Sequence, residues 1–280
     1  MQSYHVHIEP KTEGFSLNLA EVWQYRDLIG LLTKKTFTLK YKQTMLGPAW
    51  ILLNPLLSSF AYLFIFGIIA GMSTDGVPQV LFYLTGTALW TLFSSTLTEN
   101  AQTFIANSYM FGKVYFPRLT VSISYVLVNL IIFGIQMIMV AALLVFFTVQ
   151  GSIAPRWELL IAIPFVLLQL CILAMSLGII LSSITTKYRD LQILVSFGMT
   201  LWMYATPVVY PASQLVGTPL HTAVMLNPVS SPIELLRSIL LGSGTVEPLF
   251  VAISIAFTIV CALVGVVLFN HVEKTFIDTV

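Results

Sequence analysis

The sequence predicts an all-α integral membrane protein with six transmembrane helices, and three observations support this fold class. The first is composition: 57% of the 280 residues are hydrophobic and only 9% are charged, with a mean hydropathy of +0.90, whereas soluble domains carry roughly 25% charged residues. The second is span length, because a bilayer core of ~30 Å needs about 20 mostly apolar residues per helix. Six segments meet that requirement: Pro48–Gly71, Val80–Thr98, Leu119–Val149, Leu159–Thr185, Leu191–Val209 and Leu249–Asn270.

The third observation is the unequal distribution of Lys and Arg between the two sides of the membrane. An even number of spans places both ends of the chain on one side, and basic residues in short loops favour the cytoplasm. Two basic residues, Arg156 and Arg237, fall on the opposite side. We therefore expect one membrane domain over 1–280, in which 1–47 is cytoplasmic and interfacial, 48–270 holds the six helices and 271–280 is a cytoplasmic tail. The eleven basic residues on the cytoplasmic side are Lys11, Arg26, Lys34, Lys35, Lys40, Lys42, Lys113, Arg118, Lys187, Arg189 and Lys274.

The segment 18–46 predicts a helix ahead of the first span. Asn18 is a suitable N-cap, and Glu21 three residues later completes a capping box. Gly47-Pro48 marks the break into the first span. Apolar residues at helical spacing next to a basic cluster are typical of a helix in the membrane interface; a cytoplasmic helix packed on a partner is the alternative. The apolar positions are Val22, Tyr25, Ile29 and Leu32.

The connection between the second and third spans, Glu99–Arg118, is polar but rich in aromatic residues. Aromatic side chains dominate the anchors of protein interfaces, so a short helix that docks on another protein would account for them. Rings that snorkel to the membrane surface are the alternative. The aromatic residues are Phe104, Tyr109, Phe111, Tyr115 and Phe116.

The external connection 210–248 is proline-rich and contains apolar stretches too short to span a membrane. Ile233–Leu241 reads as a helix with Pro232 in its first turn and Ser230 or Ser231 as its cap. Such helices suggest re-entrant pieces, which protein or a cavity must cover. Glu234 and Arg237 are three residues apart and are expected to pair, with a contribution of roughly 0.2–0.5 kcal/mol for an exposed helix pair.

Polar and aromatic residues form stripes along three spans. Small and hydroxyl residues explain helix–helix packing, but the same residues would also line a wet conduit for glycans. In such a conduit the rings face sugar C–H groups and the neighbouring amides and hydroxyls bind sugar hydroxyls. The stripes are Asn54, Ser58 and Tyr62 in the first span, Tyr83, Gly86, Trp90 and Ser94 in the second, and Phe197, Thr200 and Tyr204 in the fifth.

Enzyme motifs are missing from the sequence. It has no HExxH, paired-cysteine or GxSxG motif, and Gly112-Lys113 lacks the remainder of a phosphate-binding loop. Cys171 and Cys261 lie inside apolar spans, as small hydrophobic residues do. We therefore expect no catalytic site, no metal site and no cofactor on this chain, and a net charge of +1 predicts no nucleic-acid partner. The predicted span interiors lack ionised residues, which does not favour ion-coupled transport.

Three segments resemble the permease subunits of ABC-2 type exporters, and most of all those that export O-antigen and related lipid-linked polysaccharides. They are YRDLIGLLTKKTFTLKYKQTMLGPAWILLNPLL at the amino end, NSYMFGKVYFPR between spans two and three, and TPVVYP with LNPVSSPIELLRSILLGSG before the last span. The resemblance implies a homodimer in the bacterial cytoplasmic membrane with two cytoplasmic ATPase chains, which would hold ATP and Mg. The cargo would be an undecaprenyl-pyrophosphate-linked glycan.

The resemblance also assigns roles to individual residues. The pyrophosphate would bind Arg26, Lys34, Lys35, Lys40 and Lys42. The polar and aromatic stripes, rather than the resemblance, give the residues that would line the channel: Asn54, Ser58, Tyr62, Tyr83, Trp90, Phe197 and Tyr204. The segment that couples to the ATPase would include Asn107, Tyr109, Phe111, Lys113, Tyr115 and Arg118. The external gate would include Tyr210, Pro211, Asn227, Pro228, Glu234 and Arg237.

Two other functions remain open from the residues. One is an ABC-2 permease for a different cargo, such as teichoic acid, capsule, a lipid or a drug. The other is an integral-membrane enzyme that acts on lipid-linked substrates, which would need paired acid–base groups near the interface.

Overall fold

The computed structural model describes residues 19–42, 44–114, 116–185 and 190–279, with side chains for all of these except Leu19 and 271–279. These residues form helices, turns and loops without a strand, which confirms the all-α class. The helices are α1 (Leu19–Gln24), α2 (Arg26–Tyr41), α3 (Trp50–Tyr62), α4 (Gln79–Ala101), α5 (Thr103–Ala106), α6 (Ser108–Phe111), α7 (Leu119–Val149), α8 (Ile163–Thr185), α9 (Leu191–Tyr204), α10 (Pro219–Leu226), α11 (Ser230–Leu241) and α12 (Pro248–Thr279).

Five helical segments in the described ranges are long and apolar enough to span a membrane, and they match predicted spans one to four and six. The fifth predicted span is helical over Leu191–Tyr204, which is about 21 Å and shorter than a ~30 Å core. Residues 186–189, directly before it, lie outside the described residues. The fifth predicted span, and with it the total of six, therefore stays a prediction. The five segments are Gly47–Ile69, Gln79–Ala101, Leu119–Val149, Trp157–Thr185 and Pro248–Asn270.

The region before the first span forms two helices rather than one. The helix breaks at Tyr25 and α2 ends at Tyr41, whereas a single helix over 18–46 was expected. Ile29 and Leu32 on α2 are buried against α7, so this helix is anchored by packing on the membrane domain. The predicted cap, Asn18, lies outside the described residues. The break before the first span is confirmed, since Gly47 has a φ of +53° and begins a single 3-10 turn.

Helix α4 is the central element of the domain. Its residues from Leu81 to Leu97 are almost continuously buried, and 78% of its most apolar stretch is covered. Helices α3, α7, α8, α9 and α11 all pack against it. Because α4 is enclosed on all sides, its sequence needs no single apolar stripe, unlike a helix at the surface of a domain.

The closest approach to α4 comes from α8 at Gly178. A Cβ atom added at Gly178 would lie 2.5 Å from the Cβ of Asn100 and 2.7 Å from the carbonyl oxygen of Leu97. Nearby, the Thr185 hydroxyl donates a hydrogen bond to the carbonyl of Ala101 at 2.8 Å. Small residues at such crossings let helix backbones approach closely in membranes.

The segment predicted to be external contains two short helices, α10 and α11, which pack on each other and on α4, α8 and α12. Pro232 lies in the first turn of α11 as predicted, but the predicted capping by Ser230 or Ser231 is wrong. The helix already includes both serines, and Val229 occupies the N-cap position. The Ser230 hydroxyl donates instead to the carbonyl of Val224 at 2.6 Å and thereby ties α10 to α11. Gly242, with a φ of +73°, ends α11 in the left-handed conformation that glycine favours.

We expect Gly178→Ala to lower the free energy of unfolding by about 1–3 kcal/mol, because the added methyl group must push α8 away from the backbone of α4. Thermal unfolding of the purified protein in detergent measures this. Gly134→Ala on α7 is the matched control, since nothing lies within 4 Å of a Cβ added there. It should leave stability unchanged or raise it by up to about 1 kcal/mol. Equal melting temperatures for the two variants would contradict the close α4–α8 contact.

Candidate functional site

A cavity of about 250 Å³ lies between the end of α2 and helices α3, α4 and α7. Four of the residues predicted to line a channel meet in its wall: Asn54, Ser58, Tyr62 and Trp90. The polar stripes of the first and second spans therefore face one shared space. Further polar groups in the wall, which the sequence analysis did not single out, come from Thr87, Thr91, Ser95, Asn129 and Gln136, and Trp50 adds a second indole ring.

One amide in the cavity wall is tied to the backbone of α3. The Gln136 side chain donates from Nε2 to the carbonyl of Ile51 at 3.3 Å. The wall as a whole combines amide and hydroxyl groups with the flat faces of aromatic rings. Such a wall can exchange hydrogen bonds with hydroxyl groups and pack against apolar C–H groups.

The remaining predicted lining residues lie elsewhere. Tyr83 is fully buried, and its ring lies 6.3 Å from that of Tyr62, whose hydroxyl donates to the sulfur of Met203 at 3.6 Å. Phe197 and Tyr204 project from the exposed face of α9 and do not reach this cavity. Helical spacing predicted that all of these residues line one channel. Packing instead leaves Tyr83, Phe197 and Tyr204 outside the cavity.

The basic residues predicted to bind pyrophosphate differ in how exposed they are. Arg26, Lys34, Lys35 and Lys42 are exposed. Lys40 is half-buried, and its ammonium lies 2.5 Å from Oε1 of Glu99 at the end of α4. Asn129 on α7 completes the network: its Oδ1 accepts a bond from Lys40 at 3.3 Å, and its Nδ2 donates to Oε2 of Glu99 at 3.1 Å. No sequence signal linked Lys40 to Glu99, since 59 residues separate them.

A second space, a cleft of about 440 Å³, lies on the other side of Lys40. It is bounded by α2, the short helices after α4 and the start of α7. Lys35 and Lys40 contribute its two cationic groups. The other lining residues are Leu32, Thr36, Leu39, Ala106, Asn107, Met110, Val121, Ser124 and Tyr125.

The aromatic residues of the predicted coupling segment mostly face their own chain. The rings of Phe104 and Phe269 are 5.7 Å apart, and Phe111 lies 5.7 Å from Phe116. The guanidinium of buried Arg118 lies 5.5 Å from the Phe111 ring. Neither an external docking role nor snorkelling is needed to explain these rings.

The exposed part of the same segment is smaller. Tyr109 projects outward, and the Lys113 ammonium lies 3.8 Å from its ring centroid. Asn107 is partly buried and donates from Nδ2 to the hydroxyl of Tyr125 on α7 at 3.0 Å. Tyr115 lies outside the described residues.

Asn227 joins the external helices to the end of α9. Its Oδ1 accepts bonds from Nε1 of Trp202 at 3.1 Å and from the backbone N–H of Val229 at 3.1 Å. Its Nδ2 donates to the Thr206 hydroxyl at 2.8 Å. The Trp202 ring in turn lies 5.3 Å from Phe93 on α4. This single amide therefore holds three segments in register.

The other predicted gate residues lie around the same loops. Tyr210 donates to the carbonyl of Tyr204 at 3.3 Å, and burial raises the pKa of the Tyr210 phenol. Pro211 is buried. The carbonyl of Pro228 accepts a bond from the Ser254 hydroxyl on α12 at 2.5 Å.

Arg237 and Glu234 pair as predicted, at 3.0 Å, but they are buried to 1% exposure each rather than lying at the surface. The guanidinium stacks 3.7 Å from the ring centroid of Phe82 and donates to the carbonyls of Pro207 and Val208. Burial lowers the pKa of Arg237, and the Glu234 charge opposes this shift. The small contribution expected of a surface pair therefore does not apply, because breaking a buried pair leaves an uncompensated charge.

The fold and these sites define a membrane-embedded helical permease, and comparison of the sequence places it in a family. Residues 27–241 match the model of the ABC-2 type transporter family. This range covers more than half of the chain, so the chain belongs to the ABC-2 type transporter family. It is accordingly a transport permease and not an enzyme.

Two relatives that carry the same protein name align with most of this chain. The chain is 29% identical over 252 residues to an O-antigen export system permease protein RfbA of Klebsiella pneumoniae, an alignment that covers 90% of this chain and 94% of that protein. It is 31% identical over 212 residues to the protein of the same name from Myxococcus xanthus, covering 75% of this chain and 79% of that protein.

We expect Arg237→Met to lower the free energy of unfolding by about 3–5 kcal/mol, because Glu234 would be left buried without a counter-charge. The melting temperature of the purified protein reports this loss. Arg156→Met, at an exposed arginine on the same predicted side, is the matched control and should change stability little. A similar small effect at both positions would show that the Arg237 pair is not a structural anchor.

Proposed function

We propose that this chain is the transmembrane subunit of an ATP-driven exporter that moves undecaprenyl-pyrophosphate-linked polysaccharide of the O-antigen type across the bacterial cytoplasmic membrane. Membership of the ABC-2 type transporter family supports a permease. The names of relatives that align with 75–90% of the chain support O-antigen as the cargo.

The observation that carries the choice of cargo is the cavity lined by Asn54, Ser58, Tyr62 and Trp90. Amide and hydroxyl groups can exchange hydrogen bonds with sugar hydroxyls, and aromatic rings offer flat apolar faces to sugar C–H groups. A wall of this kind holds each sugar weakly and makes little demand on its identity. A passage for a polymer requires both properties.

The energy for transport comes from a separate chain in this proposal. In the five described spans the acidic and basic residues are confined to Glu99 and Glu158, each near a helix end. Ion-coupled transporters place such residues at membrane depth. Two copies of a cytoplasmic ATPase, holding ATP and Mg, would therefore supply the motor, and each would dock at the segment 106–118, where Tyr109 and Lys113 face outward.

Two copies of this chain form the passage in this proposal. The first span leaves most of its apolar side chains uncovered, and α9 does the same. These faces would lie near the opening through which the lipid enters and leaves. The exposed residues are Leu57, Phe60, Phe64, Ile68, Ile193, Leu194, Phe197 and Leu201.

The proposed topology has six spans with both termini in the cytoplasm. The pyrophosphate headgroup would be recognised at the basic helix α2, through Lys35 and Lys40 together with the exposed Arg26, Lys34 and Lys42. Arg and Lys suit this role because their N–H groups form charge-assisted hydrogen bonds with phosphate. The external gate would be α10 and α11 with the loops around Tyr210, Pro211, Asn227 and Pro228, held closed by Glu234 and Arg237.

Export of the glycan should require the ATPase partner. In cells that lack the ATPase chain we expect no O-antigen at the surface, although the permease is still inserted, because the permease holds no motor of its own. Immunoblots of surface glycan and of the membrane fraction measure the two quantities. An ATPase variant that binds but does not hydrolyse ATP is the control and should not restore export. Glycan export that survives without hydrolysis would overturn the proposal.

The double substitution Asn54→Leu with Ser58→Ala should slow export several-fold while the protein assembles normally, because it removes hydrogen-bonding groups from the cavity wall. Initial rates of glycan appearance outside the cell are compared with the amount of permease in the membrane. Thr148→Val is the matched control: its hydroxyl bonds only to the carbonyl of Leu144 within α7, at 2.7 Å, away from the cavity. An unchanged rate in the double variant would remove the cavity from the transport route.

A further inference from the structure

Lys40 separates the two spaces described above. It lines the cavity that holds Asn54 and Trp90, and it also lines the cleft beside the short helices after α4. Its ammonium is held by Glu99 and Asn129, and the two side chains of the ion pair keep 28% and 23% of their surface exposed. A group that enters the cleft can therefore reach this ammonium.

Two ion pairs among the described residues, Lys40–Glu99 and Arg237–Glu234, differ in how readily they exchange partners. The pair of Arg237 and Glu234 is 1% exposed at each side chain, and separating it would strand two charges away from water. The pair of Lys40 and Glu99 remains in contact with solvent. Partly exposed pairs contribute little to stability, so a stronger anion can replace the carboxylate as the partner of Lys40.

The cleft has the chemistry to hold such an anion. Lys35 and Lys40 supply two ammonium groups, which bind phosphate as point charges. The Thr36 hydroxyl lies in the same wall, while Leu32 and Leu39 give an apolar side. A charged headgroup attached to a hydrocarbon chain fits this combination better than a free soluble anion does.

Two separate hydrogen-bonded groups, joined through α7, connect Lys40 to the segment proposed to meet the ATPase. Asn129 donates to Glu99 at 3.1 Å, and Tyr125 lies one helical turn before it on α7. The hydroxyl of Tyr125 accepts a bond from Asn107 at 3.0 Å, and Asn107 precedes α6. Loss of the Lys40 contact would free Glu99 and Asn129 to rearrange. Asn129 and Tyr125 both belong to α7, so this helix links the rearrangement to Asn107.

We propose that Glu99 is an internal counter-ion, which holds Lys40 until the pyrophosphate headgroup of a membrane lipid in the cleft displaces it. The exchange signals to the segment around Asn107 that cargo is bound. This inference rests on the proposed function, since it names how the headgroup is sensed. Glu99 acts through Lys40 in this scheme and is a positioning residue, whereas Asn129 both holds the pair and lines the cavity.

The test uses the full permease with its ATPase partner in phosphatidylcholine vesicles, and the ATPase rate is measured with and without farnesyl pyrophosphate. We expect farnesyl pyrophosphate to stimulate the native complex, while farnesol and inorganic pyrophosphate do not. Glu99→Gln should raise the basal rate about 5-fold, at the lower end of typical coupling factors, and abolish further stimulation. Lys40→Met should do the same, because it also breaks the pair.

Two further variants distinguish the proposed displacement of Glu99 from a merely structural role of the Lys40–Glu99 pair. The exchanged pair Lys40→Glu with Glu99→Lys should restore the low basal rate, since Asn129 can bond to either charge. Glu158→Gln, an exposed carboxylate far from the network, is the control and should behave as the native protein. An assembled complex is confirmed by size-exclusion chromatography, and the exchanged pair provides the readout if a single variant fails to assemble.

The outcomes separate this inference from the proposed function. A native basal rate with full stimulation in Glu99→Gln, or a basal rate in the exchanged pair that stays high, would overturn the counter-ion role. A native complex that ignores farnesyl pyrophosphate, or responds equally to inorganic pyrophosphate, would overturn the lipid headgroup as the ligand. None of these results bears on the proposal that export requires the ATPase partner. That proposal is contradicted only if glycan appears outside cells without ATP hydrolysis.

Discussion

Helix α4 is held near each end by a charged side chain from another part of the protein, and the rest of the domain is arranged around it. Near its amino end the guanidinium of Arg237 stacks on Phe82, and near its carboxyl end Glu99 receives Lys40. Glu99 follows Phe82 by 17 positions, so the two contacts are about 25 Å apart along the helix at 1.5 Å per residue. This distance is close to the ~30 Å thickness of a bilayer core.

The two contacts have different physical consequences because they differ in exposure. Arg237 has several acceptors and a ring around it, and Gly86 leaves the space that its guanidinium occupies: a Cβ added there would lie 2.6 Å from Nη2. Any movement of α11 away from α4 would break the hydrogen bonds of Arg237 and its contact with the Phe82 ring. Lys40 has two partners and keeps contact with solvent. The end of the bundle at Arg237 is therefore the rigid one, and the end at Lys40 can rearrange at lower cost.

The polar groups of the bundle are concentrated where helices meet rather than spread along them. Asn227 joins the end of α9 to the connection between α10 and α11, and Gln136 reaches from α7 to the backbone at the start of α3. In hydrocarbon each such group needs an internal partner.

The sequence by itself determined the all-α class, five of the spans to within a few residues at each end, and the break at Gly47. Hydropathy and chain breakers act locally, so composition is enough to predict them. It also grouped Asn54, Ser58 and Tyr62, because a period of four residues places side chains on one helix face.

The tertiary structure decided which of these faces meet and which charges find partners. Only packing shows that Trp90 shares a cavity with Asn54 while Tyr83 is buried, and that the rings of Phe104 and Phe111 pack on their own chain. The pairing of Lys40 with Glu99 joins residues 59 positions apart. Local periodicity holds no information about such contacts, because they depend on how whole helices cross.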